Sequence, residues 1–296
     1  MGTKTKIEWA DATWNPVTGC LHGCEYCYAR KIAERFKGCD TPSTYGTYHS
    51  STWHRVNPDS DPEKAMFVIE EKHPPVNVRF DAKRQLQMVT KAPYPWGFKP
   101  TLHRDLMDMP RKWKSPKTIF VCSMADLFGN WVPAEWIGEV FEACKKAPQH
   151  RYLFLTKNPG RFCDLERAGM MPKTDNFWFG ATYDHSNWSD FRIPDRPKVN
   201  RFHDAGDYYF GAYPEKHRFV CFEPLLYDIG ANIGSTGGEW HIIGVETGNR
   251  KDKPEVKKKW VDHIVEWSLK HDIPVFMKDS LLPIMGEKNM LRQFPF

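Results

Sequence analysis

The chain has 296 residues, 41% hydrophobic and 14% aromatic, so it can bury a substantial core, and this excludes an extended disordered chain. A formal net charge of +5 permits an anionic ligand or a nucleic acid but demands neither. No stretch reaches the roughly 18 consecutive apolar residues of a membrane span, and the charged opening MGTKTKIEWADATW lacks the apolar core of a signal peptide. We therefore expect a soluble cytoplasmic protein whose eight cysteines are reduced, buried or metal-bound rather than paired in disulfides.

Short apolar runs recur along the chain, and they predict strands that are buried on both faces, as in a parallel sheet. Two weaker candidates come first, at 11–19 and 97–103. Six stronger runs follow, at 118–126, 151–159, 177–185, 218–226, 241–248 and 273–280.

Amphipathic helical patterns lie between several of these runs. VPAEWIGEVFEACKKA (132–147) places Trp136, Ile137, Val140, Phe141 and Cys144 on one face, and PEVKKKWVDHIVEWSLKH (254–271) does the same with Val261, Ile264, Val265 and Leu269. Alternating strands and helices predict an α/β fold. We expect a (β/α) barrel, full or nearly full and similar to a TIM barrel.

The interval 37–96 breaks this rhythm with a stretch that is rich in Pro, Ser, Thr and aromatic residues. Loops longer than about 15 residues are usually functional or disordered. We interpret 37–77 as an insertion after the first helix, lying over one end of a single barrel domain that spans residues 1–296.

Polar residues follow the apolar part of most predicted strands. They include Ser123, Asp126, Thr156, Lys157, Thr182, Glu223, Glu246, Thr247, Lys278 and Asp279. Loops are polar in any case, but in a barrel the carboxyl ends of the strands form one rim, where active sites lie. The pattern therefore predicts a site at that rim.

Three cysteines, Cys20, Cys24 and Cys27, have the spacing C-x3-C-x2-C after the first candidate strand. Thiolates bind zinc, copper(I) or iron–sulfur clusters, and a structural zinc site usually has four ligands. A four-iron cluster with three cysteine ligands keeps one iron open to a substrate. Cys39 is an alternative fourth ligand that would close the site, and His22 is either a ligand or a solvent-facing filler.

This motif, with Tyr26 directly before its last cysteine, resembles that of the radical S-adenosylmethionine superfamily. The resemblance implies that the three cysteines ligate a [4Fe-4S] cluster whose fourth iron takes the amino and carboxylate groups of S-adenosylmethionine. One electron, from a reductase or a flavodoxin-like donor, then cleaves this cofactor to methionine and a 5′-deoxyadenosyl radical that acts on the substrate. The family is typically built on a complete or partial (β/α) barrel with the motif after the first strand.

Further segments are similar to a phage-associated branch of that superfamily, whose name implies no substrate. They are IEWADATWNPVTGC (7–20), SMADLF (123–128), FLTKNP (154–159), FEPLL (222–226) and IIGVETG (242–248). The likeness spans about residues 7 to 280, apart from the insertion at 37–77.

Recognition of S-adenosylmethionine calls for hydrogen-bonding groups at its amino end and ribose and for close backbone approach at its adenine. Ser123 and Asp126 are candidates for the amino end or the ribose, with Glu223 and Glu246 as alternatives, and Gly244 lies in a segment similar to the adenine-contacting strand. The expected cofactor-binding set is Tyr26, Ser123, Asp126, Thr182, Glu223, Gly244 and Glu246.

Three residues are candidates for a part in the reaction itself. Cys122 and Cys221 are either buried small hydrophobes or thiols that return a hydrogen atom to a product radical, as in some radical enzymes of this superfamily. Lys157 is either a surface lysine or a point charge that holds a carboxylate, a ribose oxygen or a phosphate.

Two rival functions remain open at the level of the sequence. One is a non-catalytic iron–sulfur electron-transfer protein with Cys39 as a fourth ligand, and the other is a nucleic-acid-binding protein stabilised by its metal. The mild positive charge, Lys157, Lys278 and the aromatic residues of 45–55 predict an anionic substrate with a planar part, such as a nucleotide or a nucleic-acid base.

Overall fold

A computed structural model describes residues 5–37, 50–55, 67–73, 76–81, 86–91, 93–183, 217–230, 233 and 236–296. The strands among them are β1 (Ala12–Trp14), β2 (Val17–Thr18), β3 (Ser50–Arg55), β4 (Phe67–His73), β5 (Val76–Asp81), β6 (Leu86–Lys91), β7 (Thr101–His103), β8 (Thr118–Val121), β9 (Arg151–Thr156), β10 (Phe177–Thr182), β11 (Arg218–Phe222), β12 (His241–Ile243) and β13 (Val275–Met277). The α-helices are α1 (Tyr28–Arg35), α2 (Ala134–Lys145), α3 (Gly160–Arg167), α4 (Lys258–Lys270) and α5 (Leu282–Met285).

The fold is mixed α/β, and its main element is a seven-stranded parallel sheet curled as a half-barrel. The strand order is β1-β8-β9-β10-β11-β12-β13. All residues of β8, β10, β12 and β13 are buried, as the apolar runs predicted for strands covered on both faces. The expectation of an α/β fold with a parallel sheet is thus confirmed at the level of a half-barrel.

The six stronger strand predictions are confirmed, but the two weaker ones need correction. The run 97–103 contributes only β7, which lies in a separate four-stranded sheet of order β2-β7-β4-β3. The run 11–19 divides into β1, which joins the parallel sheet, and β2, which pairs antiparallel with β7. Asn15 and Pro16 separate the two, and proline cannot donate a ladder hydrogen bond.

The predicted inner face of α2 is confirmed, because Trp136, Ile137, Val140, Phe141 and Cys144 are all buried. In α4, Val261 and Ile264 are buried, but Leu269 is exposed, contrary to the prediction. Ser268 takes the inward position in the last turn instead, where its hydroxyl donates to the Ile264 carbonyl. A serine can occupy this buried position because its hydroxyl is hydrogen-bonded to a carbonyl of the same helix.

The chain divides into two compact units, which are described separately below. The cysteine unit consists of Thr13–Pro116 and Val121–His150, and the sheet unit of Met1–Ala12, Lys117–Phe120 and Arg151–Phe296. That the whole chain is one domain stays a prediction. Of the interval 37–77, the structure describes β3 and β4, which pair antiparallel, and the first two residues of β5; 38–49, 56–66 and 74–75 lie outside the described residues.

Among the described residues, two clusters of buried side chains contribute to the core of the sheet unit. One contains Trp9, Trp178 and Trp240 with Phe219 and Phe276, and the other includes Val261 and Ile264 of α4. Within the described part of the chain, no helix is long and apolar enough to cross a membrane.

Candidate functional site

The loop that carries the three cysteines begins at a glycine that no other residue can replace without strain. Gly19 has φ +84°, and a Cβ on it would lie 2.2 Å from the Lys99 carbonyl oxygen. Its N–H donates to the Met124 carbonyl over 2.8 Å. The start of the loop is therefore fixed against two neighbouring segments of the cysteine unit.

The loop ends at Cys27, which is the N-cap residue of α1. Its Sγ accepts a hydrogen bond from the N–H of Arg30 over 3.3 Å. The Cys27 side chain therefore satisfies one of the N–H groups that the first turn of a helix leaves without a backbone partner.

The three thiols are half-buried and lie close enough to interact electrostatically. Burial raises the pKa of the Cys20 thiol well above its usual range, the Asp126 carboxylate raises it further, and a hydrogen bond from the N–H of His22 acts against both. Cys20 and Cys27 also pack against a buried cluster of Ala29, Ala33, Phe98 and Met124. The loop thus has an apolar side that is shielded from water.

Three thiols are the donor set that a soft metal or an iron–sulfur cluster takes. Among the described residues, no group of three or more His, Cys, Asp or Glu side chains is arranged to hold a single metal ion. The chemistry of the three thiol donors fits such a cluster.

His22, within the motif, is not the solvent-facing filler that the sequence suggested. Its side chain is only 16% exposed, and its Nε2 lies 2.7 Å from Asp126 Oδ2. The edge of its ring meets the indole of Trp131, with ring centroids 4.9 Å apart and an interplanar angle of 78°. Asp126 is itself held, because its Oδ1 accepts from the N–H of Phe128 over 3.0 Å.

Ser123 is hydrogen-bonded to the residue that follows β1 and to the first residue of α1. The Ser123 hydroxyl donates to Asn15 Oδ1, and its carbonyl accepts from the hydroxyl of Tyr28. Asn15 and Tyr28 were not singled out in the sequence. Tyr26, which the sequence did single out, lies in the cysteine loop with a half-buried side chain.

Cys122 follows β8 directly and has an unusual backbone conformation for a non-glycine residue, with φ +58°. Its N–H donates to the Trp14 carbonyl, and its side chain is 3% exposed. Burial raises the pKa of this thiol to about 12, so it stays protonated at neutral pH. Cys122 is thus buried, as the first of the two alternatives predicted, and its role as a hydrogen-atom donor stays a prediction.

In the sheet unit, the first residues after β11, β12 and β13 line up in register. Phe222 pairs with Ile243, and Ile243 with Met277, so Glu223, Gly244 and Lys278 follow one another across three strands. Lys278 Nζ forms an ion pair with Glu223 Oε1. A Cβ on Gly244 would lie 3.0 Å from Lys278 Cδ and 3.2 Å from Glu223 Cδ, so the glycine leaves room for this pair.

Cys221, two residues before Glu223, belongs to the same group of side chains. Its Sγ lies 3.9 Å from Glu223 Oε2. Burial raises the pKa of this thiol, the Glu223 carboxylate raises it further, and the charges of Lys278 and Lys157 act in the opposite direction. The structure therefore brings together three strand-end residues of the prediction, Cys221, Glu223 and Lys278, and Lys157 is near enough to act on the Cys221 thiol through its charge.

The remaining predicted residues have local surroundings of their own. Glu246 is almost fully buried, and its two oxygens accept hydrogen bonds of 2.8 and 2.7 Å from Arg250. Thr182 is buried at the end of β10. The roles of Glu246 and Thr182 in cofactor binding stay predictions.

Comparison with known proteins finds a family whose model covers most of the chain. The model of the family described as "Protein of unknown function (DUF5131)" matches residues 4–281. No curated protein and no solved structure matches the chain.

Proposed function

The chain belongs to the DUF5131 family of proteins of unknown function, and we propose that it is a radical S-adenosylmethionine enzyme. Cys20, Cys24 and Cys27 would hold a [4Fe-4S] cluster, with S-adenosylmethionine as the second cofactor. When bound, the two supply a 5′-deoxyadenosyl radical that abstracts a hydrogen atom from the substrate.

The observation that carries this proposal is the placement of the three thiols on one half-buried loop between β2 and α1. A loop between a strand and a helix of an α/β fold is where functional residues concentrate. Cys27 is held at the N-terminus of α1, where its Sγ accepts a hydrogen bond from the N–H of Arg30. Phe98 and Met124 shield one side of the loop from water, which strengthens electrostatic interactions on that side.

The proposal includes a barrel more complete than the half-barrel of the described residues, with the cofactor at the carboxyl ends of its strands. Lys157 would hold an anionic group of the substrate, and Cys122 or Cys221 would donate a hydrogen atom. The cofactor-binding set would be Tyr26, Ser123, Asp126, Thr182, Glu223, Gly244 and Glu246. A reductase or flavodoxin-like protein would supply the electron, and the reduced thiols suit the cytoplasm.

The experiment is anaerobic reconstitution with iron and sulfide, followed by incubation with S-adenosylmethionine and dithionite. We expect the wild type to form 5′-deoxyadenosine and to show the broad visible absorption of a cluster. The triple variant C20A/C24A/C27A should lose both, whereas Cys163→Ala, a matched control in a buried helix position, should keep both.

Cys39→Ala decides between this proposal and the closed electron-transfer site, although Cys39 lies outside the described residues. An open cluster should survive this substitution, since Cys39 is then not a ligand. Loss of the cluster in Cys39→Ala, or a full cluster in the wild type without 5′-deoxyadenosine, would overturn the proposal.

A further inference from the structure

The cysteine loop is held along its length by one segment of the cysteine unit, Ser123–Trp131, called the clamp segment below. At the start of the loop, the N–H of Gly19 donates to the Met124 carbonyl, and Gly19 forms a parallel bridge with Ala125. Just beyond its end, the Tyr28 hydroxyl donates to the Ser123 carbonyl over 3.1 Å. These contacts fix where the loop begins and ends.

Between these ends, His22 also contacts the clamp segment. Nε2 of His22 lies 2.7 Å from Asp126 Oδ2, and the Trp131 indole packs against the imidazole. The Asp126 side chain is 7% exposed and is anchored by the N–H of Phe128. His22 therefore meets a partner that is itself fixed, which makes the contact a rigid one.

The backbone directly after His22 includes a position of high conformational freedom. Gly23 follows His22 with φ +73°, and its surroundings are open, since a Cβ there would meet no atom within 4 Å. Holding such a segment in one conformation costs backbone entropy, on the order of 1–2 kcal/mol per residue. A contact that already holds the loop removes that cost from the binding of a ligand by its thiols.

We propose that His22 is a positioning residue, which with Asp126 holds the cysteine loop in the conformation that binds the iron–sulfur cluster. The inference rests on the proposed function and assigns His22 no bond to iron. Partners that orient metal ligands commonly matter nearly as much as the ligands themselves, and their loss weakens metal binding about 10- to 100-fold.

The test uses two variants of the full chain, both reconstituted with iron and sulfide. In His22→Ala, we expect iron to be lost to a chelator about 10-fold faster than in the wild type. His22→Gln should restore a rate close to that of the wild type, because the glutamine Nε2 can donate to the Asp126 carboxylate where the imidazole did. The spectrum of the reduced cluster should change in His22→Ala and should stay close to that of the wild type in His22→Gln.

A matched control is available in the sheet unit. His263 Nδ1 lies 2.8 Å from Asp228 Oδ1, a histidine–aspartate contact of similar length outside the cysteine loop. His263→Ala should leave the rate of iron loss unchanged. Melting temperatures of all variants near that of the wild type will show that an effect of His22→Ala is local.

Alkylation of the iron-free chain separates this inference from the proposed function. We expect iodoacetamide to modify Cys24 and Cys27 faster in His22→Ala than in the wild type or His22→Gln, because the loop loosens. If the wild type binds no cluster although this difference is seen, the proposed function fails, and with it the role of His22 in cluster binding, while the contact with Asp126 stands. If His22→Ala loses iron at the wild-type rate, or if His22→Gln does not restore that rate, the inference is overturned.

Discussion

Lys278 forms an ion pair with Glu223 across the end of β12, in the space that Gly244 leaves by having no side chain. Burial acts to lower the pKa of the Lys278 ammonium, but the neighbouring Glu223 carboxylate outweighs burial, so the pKa is raised. Lys278 therefore stays charged through the physiological range. Each of the two charges is costly in its half-buried position without the other.

We predict strong coupling between these two charges in a double-mutant cycle of Lys278→Met and Glu223→Gln. Each single variant leaves one group without its partner, whereas the double variant removes both charges. The coupling free energy from urea unfolding should be about 1–3 kcal/mol. The control is the exposed pair of Lys258 and Asp262 on α4, for which about 0.3–0.5 kcal/mol is typical. Equal coupling in the two cycles would contradict the prediction.

A second prediction concerns stability against pH and depends on His241, which is fully buried in β12. Burial lowers its pKa from 6.5 to about 4, although a hydrogen bond to the Gly237 carbonyl acts in the opposite direction. The folded chain thus binds fewer protons at this ring than the unfolded chain does. The stability that depends on the neutral ring is present above pH 6.5 and is lost as the pH falls towards about 4.

We expect the free energy of unfolding to fall by roughly 3 kcal/mol over that interval because of His241 alone. Urea unfolding at pH 7.5, 5.5 and 4.5 measures the fall. His241→Leu should reduce the dependence on pH that the wild type shows. The same pH dependence in His241→Leu as in the wild type would show that other groups are responsible.

A third prediction ranks the cysteines by their reactivity in the iron-free chain. Cys144 is fully buried and Cys122 nearly so, and burial raises the pKa of both thiols, so few thiolates form at pH 8. Cys24 and Cys27 are more exposed, and Cys27 lies at a helix N-terminus. Mass spectrometry after brief iodoacetamide treatment should find Cys24 and Cys27 modified first. Early modification of Cys122 would show that the end of β8 opens readily.

The positions of the strands could be predicted from the sequence better than their ends. The run 118–126 predicted a strand up to Asp126, but β8 ends at Val121, because Cys122 adopts φ +58° and turns the chain. An apolar run indicates burial, and it does not show where the backbone leaves the ladder. The assignment of 97–103 to the parallel sheet was wrong for a related reason, since pairing with β2 and β4 depends on residues far away in the chain.

The spacing of the cysteines stood out in the sequence, but the residues that hold their loop did not. His22 and Asp126 are 104 positions apart, and neither periodicity nor composition relates them. Glu223 and Lys278 had a signal that was only partly used. Each is the first polar residue after an apolar run, as the aligned ends of neighbouring parallel strands require, and Gly244 stands at the same place between them.

The last prediction concerns the substrate, which we expect to be a nucleotide or a nucleic-acid base. The chain carries a net charge of +5, and Lys157 and Lys278 lie close enough to influence Cys221 at the end of β11. Single-stranded DNA and RNA should therefore bind at low salt, and each lost phosphate contact should reduce the slope of log K against log salt by about 0.7. Fluorescence anisotropy at two salt concentrations measures this slope. Lys157→Gln should weaken binding more than the exposed control Lys251→Gln, because Lys157 lies near the strand-end group. Failure of DNA, RNA and free nucleotides to bind at low salt would contradict the expectation and favour a small metabolite or a partner protein.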